Sequence, residues 1–166
     1  MLAEASRDRR TVRVVGGMTK SYIGDAGDTD TEVRTSGLAG IVDHVPADLT
    51  VTVVGGTRMA DLADALARAG QFLPLDPPHA DHATIGGIIA ANSNGFWRAR
   101  YGGVRDLLIG TRIALPDGTV ARSRATASSR PSLAVPTRSP RPARSRVRHP
   151  APKGSPSNAR LAMIGD

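Results

Sequence analysis

Cysteine is absent from the 166-residue chain. Disulfide frameworks, zinc ribbons, iron–sulfur clusters and cysteine nucleophiles are excluded with it. Aromatics are scarce: Tyr22, Phe72, Phe96, Trp97 and Tyr101 are all there are, and none follows residue 101. No apolar run approaches the ~18 residues a membrane-spanning helix needs. Residues 1–10 carry charges throughout and lack the apolar centre of a secretory signal. These absences lead us to expect a cytoplasmic chain without membrane insertion.

The formal charge is +7, which by itself suggests a polyanionic partner. Its distribution argues otherwise. Residues 1–119 hold 12 Lys+Arg and 14 Asp+Glu, whereas residues 120–166 hold 10 basic residues and the single acid Asp166. Seven of the 12 prolines also lie beyond residue 130. From Arg122 to Ser157 the chain is Ser, Arg, Pro, Ala and Thr with almost no apolar periodicity, a composition that does not offset ordering entropy. We therefore expect a folded domain over residues 1–122 and a disordered tail over 123–166. Twenty of the 22 basic residues are Arg, and Ser123 to Pro156 resembles GC-rich coding sequence in the wrong frame. The expectation is a domain truncated or frameshifted after about residue 122.

Within the first part, residues 3–9 suit a helical turn, and Thr11 to Val15 reads as a strand entering Gly16-Gly17. A long polar loop follows from Thr19 to Thr31, then a short strand at Glu32 to Thr35. Ile41–Val45 and Thr50–Val54 are β-branched runs that read as paired strands. Thr57 suits an N-cap, Met59, Leu62, Ala63, Leu66 and Ala69 follow at helical spacing, and Gly70 ends the helix. Phe72 to Pro78 is extended, and Thr84 to Ala91 is small and apolar. Leu107 to Leu115 reads as a strand that Pro116-Asp117-Gly118 turns into Thr119 to Ala121.

Two segments carry chemistry. In Val15-Gly16-Gly17-Met18-Thr19-Lys20-Ser21, glycines after a strand let backbone N–H groups converge on one anion, and Thr19 and Ser21 add hydroxyls. The pattern is neither G-x-G-x-x-G nor a Walker A loop, and two glycines after a strand also suit a plain tight turn. In Pro77-Pro78-His79 and Ala83-Thr84-Ile85-Gly86-Gly87-Ile88-Ile89-Ala90-Ala91-Asn92, small residues let backbone approach a flat ligand, or let helices pack closely.

In this order, with Leu38 to Val42, Arg105-Asp106 and Asp117-Gly118, the segments resemble the FAD-binding domain of the vanillyl-alcohol oxidase / p-cresol methylhydroxylase (PCMH-type) family. Within it they are most like the FAD-binding subunits of bacterial glycolate oxidases. The resemblance covers about residues 10–121. It implies an α+β fold, with a small sheet carrying the first glycine turn, the start of a second sheet near Leu107, and FAD extended between them. It implies that Val15, Gly16, Gly17, Met18, Thr19, Lys20 and Ser21 hold the pyrophosphate. Pro78, Thr84, Ile85, Gly86, Gly87, Ala90, Ala91 and Asn92 line the rest of the cofactor. It also implies hydride transfer from a 2-hydroxy acid to flavin and partner subunits of a multi-subunit oxidase. No catalytic residue is assigned.

Three departures matter. Met18 stands where glycine is usual, which strains the loop if φ is positive there. No His or Cys lies in Gly16–Ser21, so the expected FAD is noncovalent. The second FAD segment and the substrate domain are lacking, so the chain is expected to be incomplete for catalysis. Other signals are bland by comparison. His79 and His82 have only Asp76 and Asp81 nearby and no further His before residue 149, so no metal is expected. Trp97 to Tyr101 suits a surface loop over the flavin or a base-stacking site. Arg105-Asp106 suits a local ion pair near FAD. The competing function is nucleic-acid binding through Arg138 to Arg148, disfavoured because that stretch has no aromatic to stack a base.

Overall fold

The computed structural model describes residues 1–24, 27–124, 157–158 and 160–164. Helix α1 (Leu2–Arg7) precedes strand β1 (Val12–Val15). β1 pairs in parallel with β2 (Thr31–Arg34), with Val14 opposite Val33. β3 (Ile41–Val45) and β4 (Thr50–Val54) form an antiparallel hairpin across a 3-10 turn at Pro46–Asp48. Helix α2 (Met59–Ala67) follows, then β5 (Gln71–Phe72), α3 (Ile85–Ala90), α4 (Arg98–Tyr101) and α5 (Val104–Leu107). β6 (Leu108–Ala114) turns back into β7 (Val120–Arg124). β8 (Ser157–Asn158) pairs with β5, and β9 (Arg160–Ile164) completes the main sheet.

That sheet has the order β3-β4-β9-β6-β7. β9 runs parallel to both neighbours, placing Leu161 opposite Val51 and Met163 opposite Thr111. The small sheet that carries the first glycine turn is the β1–β2 pair, and the sheet entered at Leu108 is the larger one, as the resemblance implies. The β3–β4 hairpin joins that larger sheet through β9. One expectation is corrected. Ser157–Asn158 and Arg160–Ile164 are strands, although they fall in the segment expected to be disordered. The reason lies in the sequence: the Arg/Pro/Ser average over 123–166 hides the apolar run Leu161-Ala162-Met163-Ile164, and central parallel strands read as such runs. β7 also runs to Arg124, past the expected boundary at 122. Residues 125–156, with the arginines from 138 to 148, lie outside the described residues.

The core forms where α2 and α3 cover β4. Val51, Val53, Leu62, Leu66, Ile85 and Ile88 are buried there with Leu73, Leu75, Val104 and Leu107. Met59, Leu62 and Leu66 are one face of α2, as their spacing predicts. Burying each such side chain contributes roughly 1.5–3 kcal/mol. The C-cap is Arg68, so Gly70 lies one residue beyond the C′ position expected for it, where it takes φ +67° as the chain turns toward β5. Thr57 does not cap α2; the N-cap position is Arg58. The buried Thr57 hydroxyl instead accepts from the Gly40 N–H at 2.9 Å and donates its one proton to the Val54 carbonyl at 2.7 Å, with the Gly40 carbonyl an alternative acceptor at 3.0 Å. It thus ties the end of β4 to the start of β3.

Candidate functional site

β1 delivers the first glycine turn, and its neighbour β2 fixes where the loop returns. Thr11 and Asp30 close the loop's base. The Asp30 carboxylate accepts from the Thr11 N–H at 2.7 Å and from its hydroxyl at 2.8 Å. These bonds hold the Asp30 carboxyl below the ordinary carboxylate value. The Thr35 hydroxyl donates to the Val15 carbonyl at 3.2 Å, fixing the strand end where the turn begins.

The turn contains a left-handed residue, Met18, at φ +54°. A glycine position is therefore filled by a side chain that bears the strain, as the departure from the family pattern anticipates. Among the described residues the backbone N–H groups of Gly17, Met18, Thr19, Lys20 and Ser21 donate to no protein acceptor. A turn carrying consecutive uncommitted N–H groups is an anion-binding concavity.

The second segment is anchored from below. Met59 N–H donates to the Ala83 carbonyl (2.8 Å), Ile85 N–H to Thr57 (2.8 Å) and Gly86 N–H to Gly55 (2.7 Å). Thr84 is the N-cap of α3, its hydroxyl accepting from Gly87 N–H at 3.3 Å. Ile85 and Ile88 then point into the core, while Gly87, Ala90 and Ala91 stay exposed. The two segments touch directly. A Cβ on Gly16 would run into the Thr84 side chain, and one on Gly17 into the His82 carbonyl. These glycines are required by close approach of backbone.

Between the segments lies a cleft of about 590 Å³. Arg13 to Ser21, Ile23 and Gly24 line one wall; Thr84, Gly87, Ala90 and Ala91 line the other. Val15, Gly16, Gly17, Met18, Thr19, Lys20, Ser21, Thr84, Gly87, Ala90 and Ala91 are thus brought together from distant stretches of chain. Pro78, Ile85, Gly86 and Asn92 are not among its lining. Ile85 is fully buried in the core, Gly86 packs on Gly55, and Pro78 is exposed on its own turn. Asn92, at φ +47°, accepts from the Asn94 side-chain amide. Arg13, Val14, Ile23 and Gly24 were not singled out by sequence. Strand alternation gives the signal for Val14, which faces away from the buried Val15. Arg13 reaches across the loop, donating to the Gly27 carbonyl at 2.6 Å.

A second cleft of about 410 Å³ shares Gly16, Gly17 and Thr84 with the first. Its remaining lining is Ser36, Ala39, Gly56, Arg58, Asp61 and His82. Arg58 and Asp61 are paired at 3.0 Å.

The smaller sequence signals resolve differently. Among the described residues no three His, Cys, Asp or Glu side chains converge as metal ligands. His79 shapes a turn at φ +56°, its carbonyl accepting from His82 and Ala83 N–H. Trp97 and Tyr101 do not line either cleft; they pack edge-on against Phe72, with ring centroids 5.3 and 5.8 Å away. Asp106 accepts from the Gly103 N–H at 2.9 Å, a backbone bond rather than an Arg105 ion pair. Among the described residues no helix is long and apolar enough to cross a membrane.

Comparison with known proteins gives a consistent picture. Residues 1–124 match the family described as FAD binding domain. The chain is 37% identical over 112 residues to glycolate oxidase subunit GlcE of Escherichia coli K12, covering 66% of this chain and 31% of that one. It is 38% identical over 76 residues to glycolate oxidase subunit GlcD of Bacillus subtilis 168, covering 46% and 16%. It is 35% identical over 98 residues to mitochondrial D-lactate dehydrogenase [cytochrome] 1 of Saccharomyces cerevisiae, covering 59% and 16%. In each case the match spans less than a third of the relative. Among solved structures, alkyldihydroxyacetonephosphate synthase superposes with a TM-score of 0.63 at 19% identity, covering 77% of this chain and 26% of that one; this shows a shared fold. None of these matches supports the nucleic-acid reading.

Proposed function

The chain belongs to the FAD binding domain family, and from that premise we propose that it is the flavin domain of a glycolate-oxidase-like 2-hydroxy-acid oxidoreductase, with FAD held noncovalently in the larger cleft. One observation carries the placement: the fold brings Gly16–Ser21 and Thr84–Ala91 to opposite walls of one cleft. The residues present fit the cofactor. The uncommitted N–H groups of Gly17 to Ser21, the Thr19 and Ser21 hydroxyls and Lys20 suit a pyrophosphate. A Cβ on Gly87 would meet only the Thr84 hydroxyl, at 3.1 Å, and otherwise occupy cleft space. Val14, Val15, Met18, Ile23, Ala90 and Ala91 give apolar contact for a flat ring.

Bound FAD supplies the redox chemistry, accepting a hydride from the substrate; the chain's own residues bind and orient it. The substrate class rests on the relatives' names, since glycolate and D-lactate are both 2-hydroxy acids. The relatives named as oxidase subunits support work beside partner subunits. No described residue is assigned to orient a hydroxy acid, and positioning is a large part of the rate. Catalysis is therefore assigned to the assembly.

The test is reconstitution of the full chain with FAD, followed by gel filtration and acid precipitation. The expected result is a yellow protein that releases its flavin into the acid supernatant. Failure of flavin to co-elute at saturating FAD contradicts the proposal. Alone with FAD and glycolate or lactate, the chain is expected to reduce dyes poorly, and ordinary enzymatic turnover would overturn its assignment as an incomplete unit.

A further inference from the structure

Among the described residues Phe96 is the most exposed large apolar side chain, with 92% of its surface open. It stands on ordered backbone. Gly95, at φ +69°, lies so close to Asp76 that a Cβ there would meet the Asp76 carbonyl, and the Asp76 N–H donates to the Asn94 carbonyl at 3.1 Å. On the other side Trp97 and Tyr101 are held edge-on to Phe72. The Trp97 carbonyl accepts from the Arg100 N–H at 3.0 Å and the Tyr101 N–H at 2.9 Å. An apolar ring presented on such a support loses little freedom when a partner covers it.

Arg98 and Arg100 follow within the same helical turn, both exposed. Neither is ion-paired with a described carboxylate. Arg100 lies over the Tyr101 ring, 5.5 Å from its centroid. Two acids pack nearby, Asp76 against Gly95 and Asp106 against Gly102, but Asp106 accepts from the Gly103 N–H. The later part of the chain supplies almost no carboxylate, since Asp166 is the single acid in residues 120–166.

We propose that Phe96, Trp97, Arg98 and Arg100 form a docking surface for a partner protein that presents an acidic segment around an aliphatic side chain. Phe96 is the apolar anchor, and the two guanidinium groups take the partner's carboxylates. Aromatic residues and arginine are the types enriched where protein interfaces are buried, and arginine and tryptophan carry much of their binding energy. A nucleic acid would answer the same charge, but successive bases need free ring faces. Trp97 and Tyr101 already engage Phe72, which leaves Phe96 alone. A second copy of the same surface would set arginine against arginine. None of the four residues lines either cleft, so the inference is independent of the flavin reading.

Trp97 is the only tryptophan in the chain, so its emission reports on this surface and not on the distant arginines. The probe is a short peptide of leucine flanked by glutamates, titrated into the full chain without FAD at low ionic strength. The same peptide with lysines for glutamates, and oligothymidylate, are titrated beside it. The expected result is a saturable blue shift of Trp97 emission with the glutamate peptide alone. Binding should weaken about tenfold or more in Phe96→Ser and in the double variant Arg98→Glu/Arg100→Glu, with melting temperatures near wild type. Either variant decides alone if the other fails to fold. No shift with the glutamate peptide, an equal shift with the lysine peptide, or a shift that a folded variant retains in full overturns the proposal. A shift with oligothymidylate that the variants lose overturns it in favour of a nucleic-acid surface. A shift produced by raising the chain's own concentration overturns it in favour of self-association.

Discussion

The two walls of the larger cleft are held by very different means. The Thr84–Ala91 wall is the outer surface of a packed unit, with Ile85 at 0% exposure and Ile88 at 2% on the core side of α3. The Arg13–Gly24 wall is a two-stranded parallel pair and its loop, with Val14, Met18 and Ile23 each at 60% exposure or more. One wall is positioned by buried apolar area. The other is positioned by point contacts: the Thr11–Asp30 clamp, the Thr35–Val15 bond and the glycine contacts with His82 and Thr84. A site built this way has a fixed floor and an adjustable cover, and substitutions on the two sides should differ in kind.

The largest expected effect is on the packed wall. Leu62→Ala removes a fully buried side chain beneath α3. It is expected to lower stability by about 2–5 kcal/mol in denaturant titration. A loss under about 1 kcal/mol would mean that this unit is not tightly packed.

Gly17→Val strikes the junction of the walls. The sequence suggests an effect mainly on cofactor affinity, but the His82 carbonyl occupies the space a Cβ needs. Stability and flavin affinity are therefore expected to fall together, stability by roughly 1–3 kcal/mol. Thermal unfolding with and without FAD separates the two. A variant of normal stability that binds no flavin would restore the simpler reading.

The contrast also explains what was legible. Helix α2 and the β3–β4 hairpin were readable because Met59, Leu62, Leu66 and the β-branched strands carry their own periodicity. The glycine turn and Thr84–Gly87 were readable as motifs, since special backbone geometry demands special residues. Thr57 misled because a threonine before a helix has two uses, and burial beside Gly40 selected the second. β9 was hidden because its pairing is non-local and its apolar run is short within a basic segment. Ser36, Arg58 and Asp61 gave no signal as lining of the smaller cleft, because only the fold carries them beside Gly16 and Gly17.

Met18→Gly tests the open wall more gently. It removes left-handed strain of about 1–2 kcal/mol and adds the backbone entropy cost of glycine, roughly 0.5–1 kcal/mol. A net gain below about 1 kcal/mol is expected, measured as a small rise in melting temperature. A clear loss would show that the Met18 side chain, although 62% exposed, contributes packing.

The smallest effect is a pH dependence at the loop's base. Because the folded carboxyl of Asp30 is depressed, its contribution is complete above the unfolded carboxylate value. It is lost as pH falls through the lower folded value. The Thr11 amide resonance should therefore be constant from about pH 5 to 8 and shift only below about 4. Asp30→Asn should abolish that acid step, and an unchanged step would assign it to another group.

The central claim is that Gly16–Ser21 and Thr84–Ala91 face one another across the FAD cleft, and Gly87→Leu tests it most directly. Gly87 is exposed on α3, where a leucine is a better helix former and its side chain enters the cleft rather than the core. The expected result is at least about tenfold weaker FAD binding, with a melting temperature no lower than wild type. Wild-type FAD affinity in this variant would contradict the account.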